Sequence, residues 1–334
     1  MNILVRRPGL LSTVQDAGRP GWQFLGVGPG GAMDTLALRL ANILVANRPP
    51  AAALELTLTG PVLQFEADRL IAVTGGALSP TINGAPIPAG RAVLIRGGNE
   101  LAFGQCTVGC RAYLAIAGGI DVPMVLGSSA TNLRAHFGGF EGRPLRAGDR
   151  LSVGTPSIDA TQLSARLARS SASWVADRAG LSGEIPVRIA PDAPVRLLPG
   201  ADVDRLSGES RMALFNRPFR VSTQSDRMGY RLDGPRLALE AGVEKTSEGV
   251  TWGTVQLPPD GQPIILLADR QTTGGYPVIG HVAAVDLPVV AQRKPGDALR
   301  FTAAALGEAQ RALIQRERTI TMAITALHAQ RTSE

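Results

Sequence analysis

The segment DRQTTGGYP, residues 269–277, places a carboxylate, a carboxamide, two hydroxyls and two glycines within nine positions. Asp269 is a candidate base, Gln271 a partner for an amide, and Thr272 and Thr273 can donate hydroxyl bonds. Gly274, Gly275 and Tyr276 complete the candidate binding loop, with Tyr276 as a pocket wall. A plain hairpin is the alternative, because paired glycines are ordinary turn chemistry. Two further stretches share this character. In STVQDAGRPGWQ, residues 12–23, Gln15 is an amide partner, Asp16 a second candidate base and Arg19 an anion clamp. In STQSDRMGYRL, residues 222–232, Ser225, Arg227 and Arg231 surround Met228, Gly229 and Tyr230. Arginines of this kind grip carboxylate or phosphate through two parallel bonds. Both stretches also read as turns saturated by Asp and Arg bonding the backbone. GVGPGGAMD, residues 26–34, can cradle an anion on backbone N–H groups or form a simple turn.

The elements that must position these loops are mostly strands. ALELTL (53–58), RLIAVTGG (69–76), YLAIAGG (113–119), RLSVG (150–154), VRLLPG (195–200) and PIILLA (263–268) are short and close on turn residues or charge. Asp34 caps a helix carrying Leu36, Leu40, Ile43 and Leu44 on one side, with Asn47-Arg48-Pro49-Pro50 as its stop. A second helix is expected over residues 303–330, with Leu306, Leu313, Ile320, Ile324 and Leu327 as its stripe. This is not the βαβ alternation of a dinucleotide fold. The Ser-, Ala- and Arg-rich stretch 155–184 precedes a fresh start at IPVRIA, so residues 1–154 and 185–334 are expected as two units joined by a linker. An ordered echo supports related units: FEADRLIAVTGG with LLADRQTTGG, IDVP with VDLP, GDRLSV with GDALRF. It aligns Gly76 with Gly275 and sets polar Gln271 and Thr272 against core positions of the first unit.

Composition narrows the function. Hydrophobic residues make up 44% of 334, enough for a substantial core. The net charge of +6 comes from scattered arginines, since Lys245 and Lys294 are the two lysines, and aromatics are only 4%. A nucleic-acid role is therefore disfavoured, leaving anionic small molecules or an acidic protein partner. No run approaches a membrane span and the N-terminal stretch lacks signal-peptide order, which gives a cytoplasmic expectation. Cys106 and Cys110 read as small core residues on one strand face, without the companions a zinc site needs, and no metal is expected.

Taken together, TVQDAGR, GAMD…ALRLAN, YLAIAGGIDVP, GSSATNL, GRPLRAGDRL, SDRMGYRL and QTTGGYP closely resemble the family of 5-oxoprolinase C subunits, also called allophanate hydrolase subunit 2-like or KipA-like. The same module occurs in the carboxyltransferase region of urea carboxylase. The resemblance covers residues 3–301 and implies a mainly β chain with a few helices, built as two cyclophilin-like β-barrels. One departure is visible: the family's usual SNRMG is SDRMG here, so Asp226 replaces an amide donor with a carboxylate.

The resemblance implies an ATP-dependent opening of 5-oxoproline to L-glutamate, performed with A-like and B-like partner subunits. Its alternatives are carboxyl transfer between partner-borne biotin and an amide or urea-like acceptor, and a KipA-like regulator that binds a B-like partner. Neither Lys245 in VEKTS nor Lys294 in QRKPG lies in a biotin-carrier context, so no biotin is expected on this chain. GVEKTS lacks the glycine of a phosphate-binding loop, so an ATP site is expected to be shared with a partner. A lactam is a poor electrophile, and phosphorylating its oxygen creates a leaving group. Asp269, Arg227, Gln271 and Thr272 are the candidate catalytic set. Gln15, Asp16, Arg19, Ser225, Arg231, Thr273, Gly274, Gly275 and Tyr276 are the candidate substrate-binding set. His281 reads as a strand histidine held by a core hydrogen bond, with a proton shuttle as the alternative. No nucleophile elbow appears, which disfavours a covalent acyl-enzyme.

Overall fold

A computed structural model describes residues 2–181, 193–240 and 245–332. The chain divides into two compact units. One contains residues 1–19, 34–189 and 318–334, the other residues 20–33 and 190–317. IPVRIA, and with it the expected start of a second unit at residue 185, lies outside the described residues. The Ser-, Ala- and Arg-rich stretch before it forms the helix Ile158–Leu167 and the strand Trp174–Gly180.

The first unit holds two six-stranded sheets. In one, Asn2–Arg7, Val62–Phe65 and Glu100–Ala102 pair in sequence, antiparallel. In the other, the nine-residue strands Arg69–Ala77 and Val108–Ile116 lie at the centre. Alternation explains both faces of that pair. Ile71, Val73, Ala112, Leu114 and Ile116 enter a core with Ile3, Val5, Leu63 and Phe65 of the first sheet. Thr74 and Tyr113 sit on the intervening positions and meet the helix Thr35–Leu44: Thr74 Oγ1 donates to Ala37 O at 2.6 Å, and Tyr113 Oη accepts from Asp34 N at 2.7 Å. Asp34 caps this helix, accepting from Ala37 N at 2.9 Å. Cys110 is buried on its strand, whereas Cys106 precedes the strand; no disulfide joins them.

The second unit is built on one eight-stranded sheet. It runs from Ala298–Leu299 through Phe219–Val221, Gly229–Asp233, Ile264–Leu266, Thr254–Gln256, Val278–Val282 and Val195–Pro199 to Phe301–Ala303. Its two edge strands are consecutive segments separated by Arg300 alone, which brings the edges together into a nearly closed barrel. The expectation of two barrels is corrected here. The sheets of the first unit end on strands distant in sequence, such as Leu11–Gln15 and Trp174–Gly180, and remain open. The echo fails for a related reason. Gly76 lies inside a buried nine-residue strand, whereas Gly275 follows the two-residue strand Thr273–Gly274, paired only with Glu248–Gly249. The C-terminal helix spans Leu306–Thr332; Ile320 and Leu327 are buried, while Leu306, expected on its apolar stripe, is 62% exposed. Among the described residues no helix is long and apolar enough to cross a membrane.

Candidate functional site

Two of the sequence-marked loops meet in the second unit around a cavity of about 240 Å³. SDRMGYRL contributes Asp226, Met228 and Arg231, and QTTGGYP contributes Gln271 and Tyr276. Strand pairing brings them together: Gly229–Asp233 lies antiparallel to Ile264–Leu266, with Gly229 opposite Leu266, so the residues before Gly229 and after Leu266 emerge at the same end. Side chains of Ile264 and Leu266 supply an apolar wall, and Gln224 and Gln256 add two more carboxamides. Asp226 Oδ1 accepts from Met228 N at 2.8 Å and Gly229 N at 3.2 Å. An Asn Oδ1 accepts these bonds equally well, so the turn tolerates the carboxylate that distinguishes this chain from the family's SNRMG pattern. The Arg231 guanidinium is exposed and makes no hydrogen bond or ion pair among the described residues, which leaves its five donors to solvent and cavity. Ser225 Oγ accepts from Arg231 N at 3.1 Å and so works on the backbone.

Arg227 and Asp269 face each other directly. Arg227 Nε donates to Asp269 Oδ2 at 2.8 Å and Nη2 to Oδ1 at 3.1 Å, with both side chains at most 7% exposed. Arg227 Nη2 also reaches Gly31 O. That bond ties the pair to the glycine loop, whose Gly30 N donates to Ala268 O at 3.2 Å. Gly28 must be glycine here, because a Cβ would lie 2.8 Å from Arg270 O. Neither partner of the ion pair borders the cavity, but their neighbours do: Asp226 and Met228 flank Arg227, and Gln271 follows Asp269 by two residues. Thr272 is half-buried and its carbonyl accepts from Val250 N at 3.1 Å; Thr273 and Gly275 are exposed.

Gln15, Asp16 and Arg19 belong to the first unit, where most of their polar atoms bond nearby backbone and hydroxyl groups, Gln15 Oε1 and Arg19 Nη1 excepted. Asp16 Oδ1 accepts from Gly18 N at 2.7 Å and Ser128 Oγ at 2.6 Å, and Oδ2 accepts from Ser129 N at 2.6 Å. Arg19 donates to Val125 O and Ala130 O, and its guanidinium lies 4.8 Å from the Phe137 ring centroid. Gln15 Nε2 donates to Thr13 Oγ1 and Thr131 O. His281 stands on the strand Val278–Val282, with Nδ1 3.3 Å from Thr254 Oγ1. Burial pushes its pKa below the ordinary 6.5, opposed by the negative charge of Glu248. The strand histidine held by a hydrogen bond is thus what the structure contains.

Sequence reasoning missed Gln256, a 1% exposed residue on the strand Thr254–Gln256. Its signal was a carboxamide between the apolar residues Val255 and Leu257, a placement that needs a partner.

The carboxyltransferase domain family, subdomains A and B, matches residues 25–303. The chain is 37% identical to the C subunit of 5-oxoprolinase from Escherichia coli over 322 residues, 96% of this chain and 97% of that protein. It is 36% identical to the C subunit of 5-oxoprolinase from Haemophilus influenzae, covering 89% and 90% of the two chains. The chain belongs to the family of 5-oxoprolinase C subunits. Family membership agrees with the reading of the motifs. It extends to solved structures: the urea amidolyase of K. lactis superposes with a TM-score of 0.85 at 32% identity over 96% of this chain. This chain spans only 20% of that much longer protein.

Proposed function

We propose that this chain is the C-type member of a cytoplasmic, ATP-dependent enzyme that opens 5-oxoproline to L-glutamate, working with A-like and B-like partner subunits. The observation that carries this reading is one cavity holding an uncommitted guanidinium, three carboxamides and an apolar wall. A 5-oxoproline molecule offers a carboxylate for Arg231, a planar amide for the glutamines and a ring face for Ile264 and Leu266. Tyr276, 46% exposed, stands at the rim. ATP, bound with the partner subunits, supplies the phosphoryl group that makes the lactam oxygen a leaving group. This chain holds and orients the ring. Arg227 and Asp269 act as positioning residues in this reading, because each pairs with the other while fixing the strand ends that carry Asp226, Met228 and Gln271. Gln15, Asp16 and Arg19 hold a loop of the first unit.

The match to a carboxyltransferase domain gives weight to a second reading, in which the amide held is the ureido group of a partner's biotin. The test is the assembled complex with Arg231→Ala and Gln271→Ala variants, followed by 5-oxoproline-dependent ADP release. A KM for 5-oxoproline raised at least about tenfold in both variants is expected, the scale of one charged hydrogen bond lost. Unchanged KM in both overturns the reading. Turnover that requires a biotinylated partner favours the second.

A further inference from the structure

Gln256 is the one carboxamide at this cavity that the fold both buries and aims. Its Nε2 donates to Tyr276 O at 3.3 Å. A carbonyl can only accept, so the amide nitrogen must face Tyr276 and the orientation of the group is decided. No described residue donates to Gln256 Oε1, which leaves that acceptor on the cavity wall. The carboxamide also lies against the backbone of Gly274: a Cβ there would stand 2.5 Å from Nε2 and 3.2 Å from Oε1. Any side chain at residue 274 would push the group aside. This gives the glycine a task beyond turn formation, since Gly274 pairs as an ordinary strand residue opposite Glu248.

We propose that Gln256 reads the N–H of the bound lactam: its Oε1 accepts from the ring nitrogen, while Tyr276 O and Gly274 hold the carboxamide in register. The proposal rests on the reading of the cavity as a 5-oxoproline site. An acceptor at a buried wall selects a ligand with N–H at that point, because an analogue lacking it leaves the oxygen desolvated and unpaired.

The test is equilibrium binding to the assembled complex by calorimetry. The probes are 5-oxoproline and 3-oxocyclopentane-1-carboxylate, which keeps the carbonyl and carboxylate and replaces the ring N–H with CH₂. Wild-type complex should prefer the lactam by at least about tenfold, the scale of one hydrogen bond left unmade in a buried site. Gln256→Met, of similar shape, should abolish most of that preference by weakening the lactam alone. Gly274→Ala should do the same with Gln256 in place, and it keeps the proposal testable where the methionine variant fails to assemble. Arg231→Ala should weaken both probes in parallel and preserve the ratio. Equal losses for both probes in Gln256→Met would reduce Gln256 to a support for Tyr276 and overturn the proposal, as would a wild-type ratio in either variant. Failure of the functional reading looks different: neither probe binds the wild-type complex, and the proposal falls with it.

Discussion

The loop at Asp16 and the cavity at Arg231 were marked by the same residue types, yet the fold uses them in opposite ways. Asp16 accepts from two backbone N–H groups and one hydroxyl, and Arg19 spends donors on two backbone carbonyls. Around Arg231 the backbone is satisfied by smaller partners, Ser225 Oγ and Asp226 Oδ1, and the guanidinium keeps its donors. Charged side chains whose bonds go to their own chain build a loop. Charged side chains whose surroundings are already saturated remain available to a ligand. The Arg227–Asp269 pair stands between these cases, bonded to each other and to Gly31 O but adjacent in sequence to cavity residues.

This contrast can be broken at several points. The largest effect is expected from Arg227→Met, which strands the Asp269 carboxylate in a buried site and should cost about 3–5 kcal/mol in chemical denaturation. A loss below about 1 kcal/mol would show that solvent already reaches the pair. Asp16→Ala should lower stability by about 1–3 kcal/mol by orphaning donors that Asp16 now satisfies. The complex should keep its KM per folded molecule, and a raised KM at unchanged stability would move Asp16 from loop-building to binding. Arg231→Ala should behave in the opposite sense, with stability within about 0.5 kcal/mol of wild type and the loss confined to substrate binding.

The smallest effect concerns pH. His281 has a folded-state pKa below 6.5 because burial disfavours the imidazolium. The unfolded chain therefore binds the proton more readily. Stability from this group is complete above about 6.5 and declines as pH falls from there toward the folded value. His281→Gln should flatten that acid-side decline in a series of thermal melts, and an identical slope in the variant would assign it to carboxylates.

Much of the architecture was legible. The capped helix at Asp34 and the central strands at residues 69–76 and 113–119 follow from local signals, because period-2 and period-3.6 burial and capping are properties of neighbouring residues. The motifs also carried the family. The barrel count was not legible. The two open sheets and the one nearly closed sheet differ in which edge strands adjoin in the chain, and a list of strands does not state its pairing. Residue chemistry alone named Arg227 and Asp269 as catalytic candidates and Arg231 and Asp16 as binding candidates. What separated them was whether hydrogen-bond partners arrived from distant segments, as Ser128 and Ser129 do for Asp16. Gln256 escaped notice because its meaning comes from Gly274 and Tyr276, the latter 20 residues away and brought against it by folding. Local sequence determined which groups were present; long-range packing decided which of them were left unsatisfied, and therefore which could bind.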